Sequence, residues 1–280
     1  MKKYLFVGGD KRQSYAAAYI TRAGNIAQAA FTYPQLRALI GGADYIVLPL
    51  PVSRDGIHIS SMPEKGLITL EELLFELKKG MVVFAGMPDE YVAESIKCKG
   101  AELYDYYKIE TLSLFNSIST AEGIIFELIG GSEINLHGSK TLVTGYGKAA
   151  SAVAVRLLGL GSEVTVAARS ERDRTAALCV RCKAIPLYEI SDIAEGFDFV
   201  VNTVPARVID DKIISKLKKS CVMVEIASVP FGIDFECAEK HGIKVIKAPS
   251  LPGRISPVSA GEAIAKTIQS IAEGKVIENE

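Results

Sequence analysis

The residues with the clearest chemical meaning are Gly145-Tyr146-Gly147-Lys148-Ala149-Ala150, which follow the apolar run 141–144 and open a helical stretch reaching to about residue 158. Gly145 permits a tight turn, Gly147 lets the backbone come close to a pyrophosphate, and the small Ala150 allows a helix to pack closely on a sheet. The free N–H groups and positive dipole end of such a helix favour an anion. Strand, glycine turn, helix and the next strand at 163–167 fall at the spacing of a βαβ unit, so the segment reads as a dinucleotide site. Where that next strand ends, an acidic residue would bond the ribose 2′-hydroxyl of NAD. Here the sequence has Ala168-Arg169-Ser170 instead, and arginine with serine suits the 2′-phosphate of NADP. Arg172 and Arg174 add positive charge, and Glu171 and Asp173 offset it. NADP is the expected cofactor, with NAD as the alternative.

Two further strand ends should flank the nicotinamide, because ligands of open α/β sheets bind outside the carboxyl ends of parallel strands. They are Asn202-Thr203-Val204-Pro205 and Glu225-Ile226-Ala227-Ser228. Asn202 serves equally well as a turn residue. Glu225 reads as a group that holds a loop rather than as a catalytic acid.

These motifs need a scaffold of alternating strands and helices, and the chain supplies one. In the first half, apolar runs at 4–7, 25–28, 45–48, 81–85 and 102–104 alternate with helical stretches at 14–23, 69–78 and 88–97. Thr69 and Glu72 have capping-box spacing. Residues 51–66, rich in turn formers, read as a surface excursion. A helix over 119–130 leads to a second series of strands at 141–144, 163–167, 184–186, 199–202, 222–226 and 244–247, and an amphipathic helix over 260–272 closes the chain. The fold class is therefore α/β with two parallel-sheet domains, the second a doubly wound dinucleotide-binding (Rossmann) domain. The expected domains are 1–117, joined by the C-terminal helix 262–280, and 118–261.

Composition narrows the partners. The chain has 280 residues, 49% hydrophobic and 23% charged, and 32 basic against 33 acidic residues leave a formal charge of −1. That gives no electrostatic footprint for nucleic acid or an anionic membrane, and small molecules are expected instead. No apolar run approaches the roughly 20 residues that span a bilayer, and the basic Met1-Lys2-Lys3 start is followed too soon by Gly8-Gly9-Asp10 for a signal peptide. A cytoplasmic protein is expected. Five cysteines, with Cys179 and Cys182 the one close pair, and three scattered histidines argue against a disulfide framework or a metal site.

Taken together, several segments resemble the A subunits of dipicolinate synthase. They are Gly8-Gly9-Asp10-Lys11-Arg12-Gln13, Leu48-Pro49-Leu50-Pro51, Asn116-Ser117-Ile118-Ser119-Thr120-Ala121-Glu122-Gly123, His137-Gly138-Ser139, the Gly145 fingerprint, Ala168-Arg169-Ser170, Glu225-Ile226-Ala227-Ser228, and Leu251-Pro252-Gly253-Arg254 through Ala260-Gly261. The chain departs from that pattern at Ser119, where proline is expected, at Ser259, where lysine or threonine is, and at Phe231, where glycine is. The resemblance implies an enzyme of sporulating bacteria built like the formate and glycerate dehydrogenases. It would oxidise a dihydrodipicolinate-type heterocycle, derived from the lysine-pathway hydroxy-tetrahydrodipicolinate, to pyridine-2,6-dicarboxylate, passing hydride to NADP. It also implies a partner, a flavoprotein-like B subunit. A homo-oligomer is expected.

A planar dianionic product needs cations, and arginine is the best bidentate clamp. Arg12 with Gln13 and Asp10 after the first strand, and Arg254 in the second domain, are the expected substrate residues. Arg54 and His58 in the excursion would form a lid. Loss of a ring proton accompanies hydride removal, and Glu122 and Tyr106 are the candidate bases. Glu122 placed early in its helix would alternatively favour the dipole, and Thr120 would be an N-cap or a substrate donor. Two other readings stay open: an NADP-dependent dehydrogenase of the shikimate type, which shares the Asn202-Thr203-x-Pro205 loop, and an NADP-binding subunit without turnover. A 2-hydroxyacid dehydrogenase is disfavoured because no histidine follows His241.

Overall fold

The computed structural model describes residues 1–275. The first unit opens with β1 (Lys3–Val7), α1 (Lys11–Arg22), β2 (Ile26–Ala30), α2 (Tyr33–Leu39), β3 (Tyr45–Val47), α3 (Leu70–Glu76), β4 (Val82–Ala85), α4 (Glu90–Cys98) and β5 (Glu102–Asp105). Helix α5 (Glu110–Gly131) follows. Then come β6 (Lys140–Thr144), α6 (Lys148–Gly159), β7 (Glu163–Ala167), α7 (Glu171–Cys179), β8 (Lys183–Ile185), α8 (Ile190–Ile193), β9 (Phe199–Asn202), α9 (Asp211–Ile214), β10 (Val222–Glu225), α10 (Phe235–Lys240), β11 (Lys244–Lys247), α11 (Leu251–Ile255) and α12 (Pro257–Ala272). One compact unit comprises Met1–Phe115 with the stretch from Ser256 onward, and the other is Asn116–Ile255. Helix α12 starts five residues before the expected 262, with Pro257 in its first turn. The expected extension to 280 includes residues 276–280, which lie outside the described residues.

Both sheets are parallel throughout. The first has the order β2-β1-β3-β4-β5 and the second β11-β10-β9-β6-β7-β8. The α/β class read from the alternation is the observed one, because strands buried on both faces must be near-continuous apolar runs. In β6 and β9, for example, Leu142, Val143, Val200 and Val201 are fully buried. Caps start the helices. Asp10 accepts from the Arg12 N–H at α1, and Asp89 from the Val92 N–H at α4. Thr69 and Glu72 close the expected capping box at α3. Helix α2, absent from the sequence reading, is opened by a second box, Thr32 with Gln35.

Helix α5 corrects two expectations. It spans 22 residues rather than starting near 119. The polar run from Asn116 to Thr120 looks like a helix start, yet Ser117 and Ser119 are small side chains buried inside the helix. The Thr120 hydroxyl donates back to the Asn116 carbonyl, the usual refuge of a mid-helix threonine. By length and composition α5 is also long and apolar enough to cross a membrane, with mean hydropathy 1.3 over 18 residues, contrary to the expectation that no run is. Of that window 39% is buried inside the protein, and Leu114, Phe115, Ile118, Phe126 and Ile129 of the helix are exposed.

In the first unit, α12 packs on α1 at backbone distance. A Cβ on Gly261 would lie 2.5 Å from the Arg12 carbonyl oxygen and 2.8 Å from the Tyr15 Cβ. Ile264 and Ile268 of α12 join Tyr4, Phe6, Phe84 and Tyr106 in one core. The excursion after β3 is not a free flap, because Val52 and Ile59 are buried and Ser61 pairs in parallel with Gly9. Its tip closes on Asp55, which accepts from the Ile57 and His58 N–H groups and pairs with the His58 ring at 2.8 Å. Those bonds, the His58 N–H foremost, hold the Asp55 carboxyl far below its usual range. Gly261→Ala is expected to destabilise the protein by about 1–3 kcal/mol through overpacking, read as a lowered Tm. Gly41→Ala, where an added Cβ meets nothing within 4 Å, should leave the Tm unchanged.

Candidate functional site

In the second unit the strand order reverses between β6 and β9, and the glycine fingerprint lies at that reversal. Gly145 has φ +81° and its N–H donates to the Ala167 carbonyl at 2.8 Å. A Cβ there would stand 2.8 Å from the Thr203 hydroxyl, so a side chain is excluded on two counts. Gly147 precedes α6 with no side chain capping the helix, and nothing lies within 4 Å of where its Cβ would be. The result is an uncapped helix N-terminus with open space before it, which fits a dinucleotide pyrophosphate. Lys148 is exposed at the first helical position, and Ala150 is buried against the core.

The neighbouring strand ends are tied by a buried network. The Thr144 hydroxyl donates to the Asn202 side-chain carbonyl, and the Thr203 hydroxyl donates to the Thr144 carbonyl at 2.7 Å. The Asn202 amide donates to both oxygens of Glu225, at 2.7 and 2.9 Å, and to the Val204 carbonyl at 3.0 Å. Glu225 also accepts from the N–H groups of Ala227, Gly232 and Ile233 at 2.8–3.0 Å. Asn202 was expected to face the cofactor, but its side chain is fully buried and its polar atoms are all engaged. It shapes the Thr203-Val204-Pro205 turn instead. Thr203 and Val204 are half-buried, Pro205 and Ser228 are exposed, and Ala227 is half-buried beside the Glu225 carboxylate.

At the end of β7, Ala168 is buried while Arg169 is exposed and makes no ion pair or hydrogen bond through its side chain among the described residues. Arg174 clamps the loop from below, donating to the carbonyls of Ala168 and Arg169 at 2.9 and 2.8 Å. The Ser170 hydroxyl accepts from the Asp173 N–H and caps α7, which leaves its proton free to donate.

In the first unit the order reverses between β1 and β3. Arg12 and Asp10 lie there, and most of the donors expected to clamp a substrate carboxylate are engaged within the protein. The Arg12 side chain is 6% exposed. Its Nε donates to both oxygens of Asp10, and its Nη2 to Asp10 and to the Leu50 carbonyl. Only Nη1 is without a hydrogen bond among the described residues. Asp10 is thus the partner of Arg12 and the cap of α1. Gln13 is buried and donates to the Tyr106 hydroxyl, which donates in turn to the Leu48 carbonyl. Tyr106 is no base: it is fully enclosed, and burial drives its pKa far above the usual phenol range.

Glu122 sits in the middle of α5, so the dipole role is corrected. It is exposed and has no ion pair among the described residues. Thr120 is not an N-cap, and its proton is already bonded to Asn116. Arg254, in α11, pairs with Glu127 at 2.9 Å and is half-exposed. Sequence reasoning missed the Thr144 and Asn202 pairing, which joins segments 58 residues apart, and the local Asp55–His58 pair, whose Asp-x-x-His spacing in a turn-rich loop was the available signal. Glu225→Gln would aim an amide NH2 at N–H donors. It is expected to cost about 1–3 kcal/mol, seen as a lower Tm together with weaker dinucleotide binding, with no loss in either counting against the network as the support of the site.

Comparison with known proteins finds a family match in each unit. Residues 3–107 match the N-terminal domain of the dipicolinate synthase A subunit, and residues 128–229 match the NAD-binding domain of D-isomer specific 2-hydroxyacid dehydrogenases. The dipicolinate synthase A subunit of Bacillus subtilis (strain 168) is 27% identical over 231 residues, 81% of this chain and 77% of that protein. The solved structure of the B. subtilis protein superposes with TM-score 0.84 at 24% identity, covering 98% of this chain and 96% of that one. The counterpart from Bacillus halodurans gives TM-score 0.83 at 23% identity, covering 96% and 97%. The second unit thus carries a dehydrogenase NAD-binding domain, which places the chain among NAD(P)-dependent oxidoreductases, and over nearly its whole length the chain resembles the A subunits of dipicolinate synthase.

Proposed function

We propose that this chain is the dehydrogenase component of a dipicolinate synthase, oxidising a dihydrodipicolinate-type heterocycle to pyridine-2,6-dicarboxylate for the spore in the mother cell of a sporulating bacterium. The observation that carries the reading is the joining, in one chain, of the N-terminal domain of a dipicolinate synthase A subunit to a dehydrogenase NAD-binding domain. NADP, when bound, accepts the hydride; the rest of the work falls to the protein. The uncapped start of α6, with Gly145, Gly147, Lys148 and Ala150, would hold the pyrophosphate. Arg169, with the free proton of Ser170, would hold the 2′-phosphate, and the absence of an acid at the end of β7 supports NADP over NAD. Thr203, Val204, Pro205, Ala227 and Ser228 line the nicotinamide side, kept in place by Asn202 and Glu225.

On the substrate side we assign Gln13 and the free Nη1 edge of Arg12, with Asp10 as the anchor that orients Arg12, and Arg254 as a second cation. Glu122 is the group we assign to take the ring proton, because it is an exposed carboxylate with no ion pair among the described residues. Thr120, whose proton is held by the Asn116 carbonyl, contributes only acceptor capacity. A flavoprotein-like B subunit is the proposed partner, and a homo-oligomer the proposed state.

Mixing the purified chain with enzymatically generated hydroxy-tetrahydrodipicolinate and NADP should raise absorbance at both the dipicolinate and the reduced-nicotinamide bands, with or without the B subunit. Silence at both, with the B subunit present and with NAD as well, overturns the reading. Arg169→Asp should weaken NADP at least tenfold more than NAD, and equal loss of the two removes Arg169 from the 2′-phosphate. Glu122→Gln should lower kcat by about 10²–10⁴ with NADP affinity intact; an unchanged kcat dismisses it as the base.

A further inference from the structure

Arg174, on α7, bonds three consecutive carbonyls of the loop that follows β7. A single nitrogen of its side chain, Nη1, donates to the Ala168 carbonyl at 2.9 Å and to the Arg169 carbonyl at 2.8 Å. Its backbone N–H donates to the Ser170 carbonyl at 3.2 Å. The first two bonds determine more than where the loop lies. They also determine which way its peptide planes face.

A trans peptide is planar, with its C=O and its N–H on opposite sides. The Ala168 carbonyl shares a peptide with the Arg169 N–H, and the Arg169 carbonyl shares the next one with the Ser170 N–H. Because both carbonyls converge on Nη1, both N–H groups are turned to the side away from it. Neither donates to any group among the described residues. One peptide earlier the Ala168 N–H is engaged by the Ile185 carbonyl at 3.1 Å, so the free donors begin where the sheet pairing ends. Successive backbone N–H groups turned to one side suit an anion. Carbonyl oxygens on that side would repel one, and the guanidinium holds them off it. The exposed Arg169 side chain loses rotamer freedom when it orders on a ligand, whereas backbone donors already fixed by Arg174 lose little.

We propose that Arg174 is a positioning residue for cofactor choice: by drawing the carbonyls of Ala168 and Arg169 to itself, it presents the N–H groups of Arg169 and Ser170 to the 2′-phosphate of the dinucleotide. The proposal rests on the NADP reading above and adds two fixed backbone donors to the Arg169 guanidinium and the free proton of Ser170. Arg174 acts through the backbone of the loop. Its contribution is therefore the direction of the donors, and an equal positive charge placed elsewhere on α7 would not replace it.

The test uses the full chain with two probes that differ only in the phosphate, adenosine 2′,5′-bisphosphate and adenosine 5′-monophosphate. Calorimetry gives the two affinities, and the amide resonances of Arg169 and Ser170 in ¹H–¹⁵N spectra report the donors directly. In the wild type the bisphosphate should bind more tightly and should move both amide protons downfield relative to the monophosphate. Arg174→Met should reduce that preference by about tenfold, the size expected for losing charge-assisted bonds, and should abolish the downfield difference even at saturating bisphosphate. A role through charge alone would lower the affinity yet keep the shifts at saturation, which overturns the proposal, as does a preference left unchanged in the variant. If Arg174→Met does not fold, the wild-type spectra decide, and amides that respond equally to both probes overturn it. A wild type without any preference for the bisphosphate removes the NADP reading and the proposal with it, whereas a preference without the amide shifts removes the proposal and leaves NADP standing.

Discussion

A buried carboxylate with no cation paired to it among the described residues is the constraint around which the loops at the ends of β9 and β10 are arranged. Glu225 is 2% exposed, and every group pointing at it is an N–H: one side-chain amide and three backbone donors. Charge-assisted bonds to fixed backbone donors are strong and directional. They hold the β10 loop, from Ala227 to Ile233, in one conformation. Through Asn202 the same carboxylate reaches Thr144 and the β9 turn, so two strand ends and the start of the glycine turn are set by one charge.

The first unit solves the same problem with a pair. Arg12 neutralises Asp10 and also bonds the Leu50 carbonyl, tying the helix start to the segment after β3. Only the arginine of this pair is buried, at 6% exposure against 39% for Asp10, so it is loss of Asp10 that would strand a charge. An arginine at a strand end therefore need not be waiting for a ligand. Here most of its donors hold the protein's own chain, and only an edge of the guanidinium is left over.

Much of the architecture was legible in the residues. Parallel strands buried on both faces leave little room for polar residues, so runs such as Leu142-Val143 and Val200-Val201 mark themselves, and the fingerprint falls directly after one of them. The start of α5 was hidden because serine and threonine serve both as caps and as small interior residues, and only packing tells which. The partners of Arg12 and Asn202 were hidden for a different reason. Leu50 and Glu225 are 38 and 23 residues away from them in sequence, and nothing local to either segment records that the fold brings them within bonding distance.

Ser170 connects cofactor choice to the integrity of a helix. Its oxygen accepts the Asp173 N–H and so satisfies one of the otherwise unpaired donors at the start of α7. On the proposed reading its proton points to a phosphate, and the bond to each side polarises the other. Occupancy of the phosphate position and closure of the first turn of α7 are then thermodynamically linked, and the linkage is reciprocal. A cofactor with the phosphate would slow amide hydrogen exchange in that turn, whereas its unphosphorylated counterpart would leave exchange there as it is in the free chain.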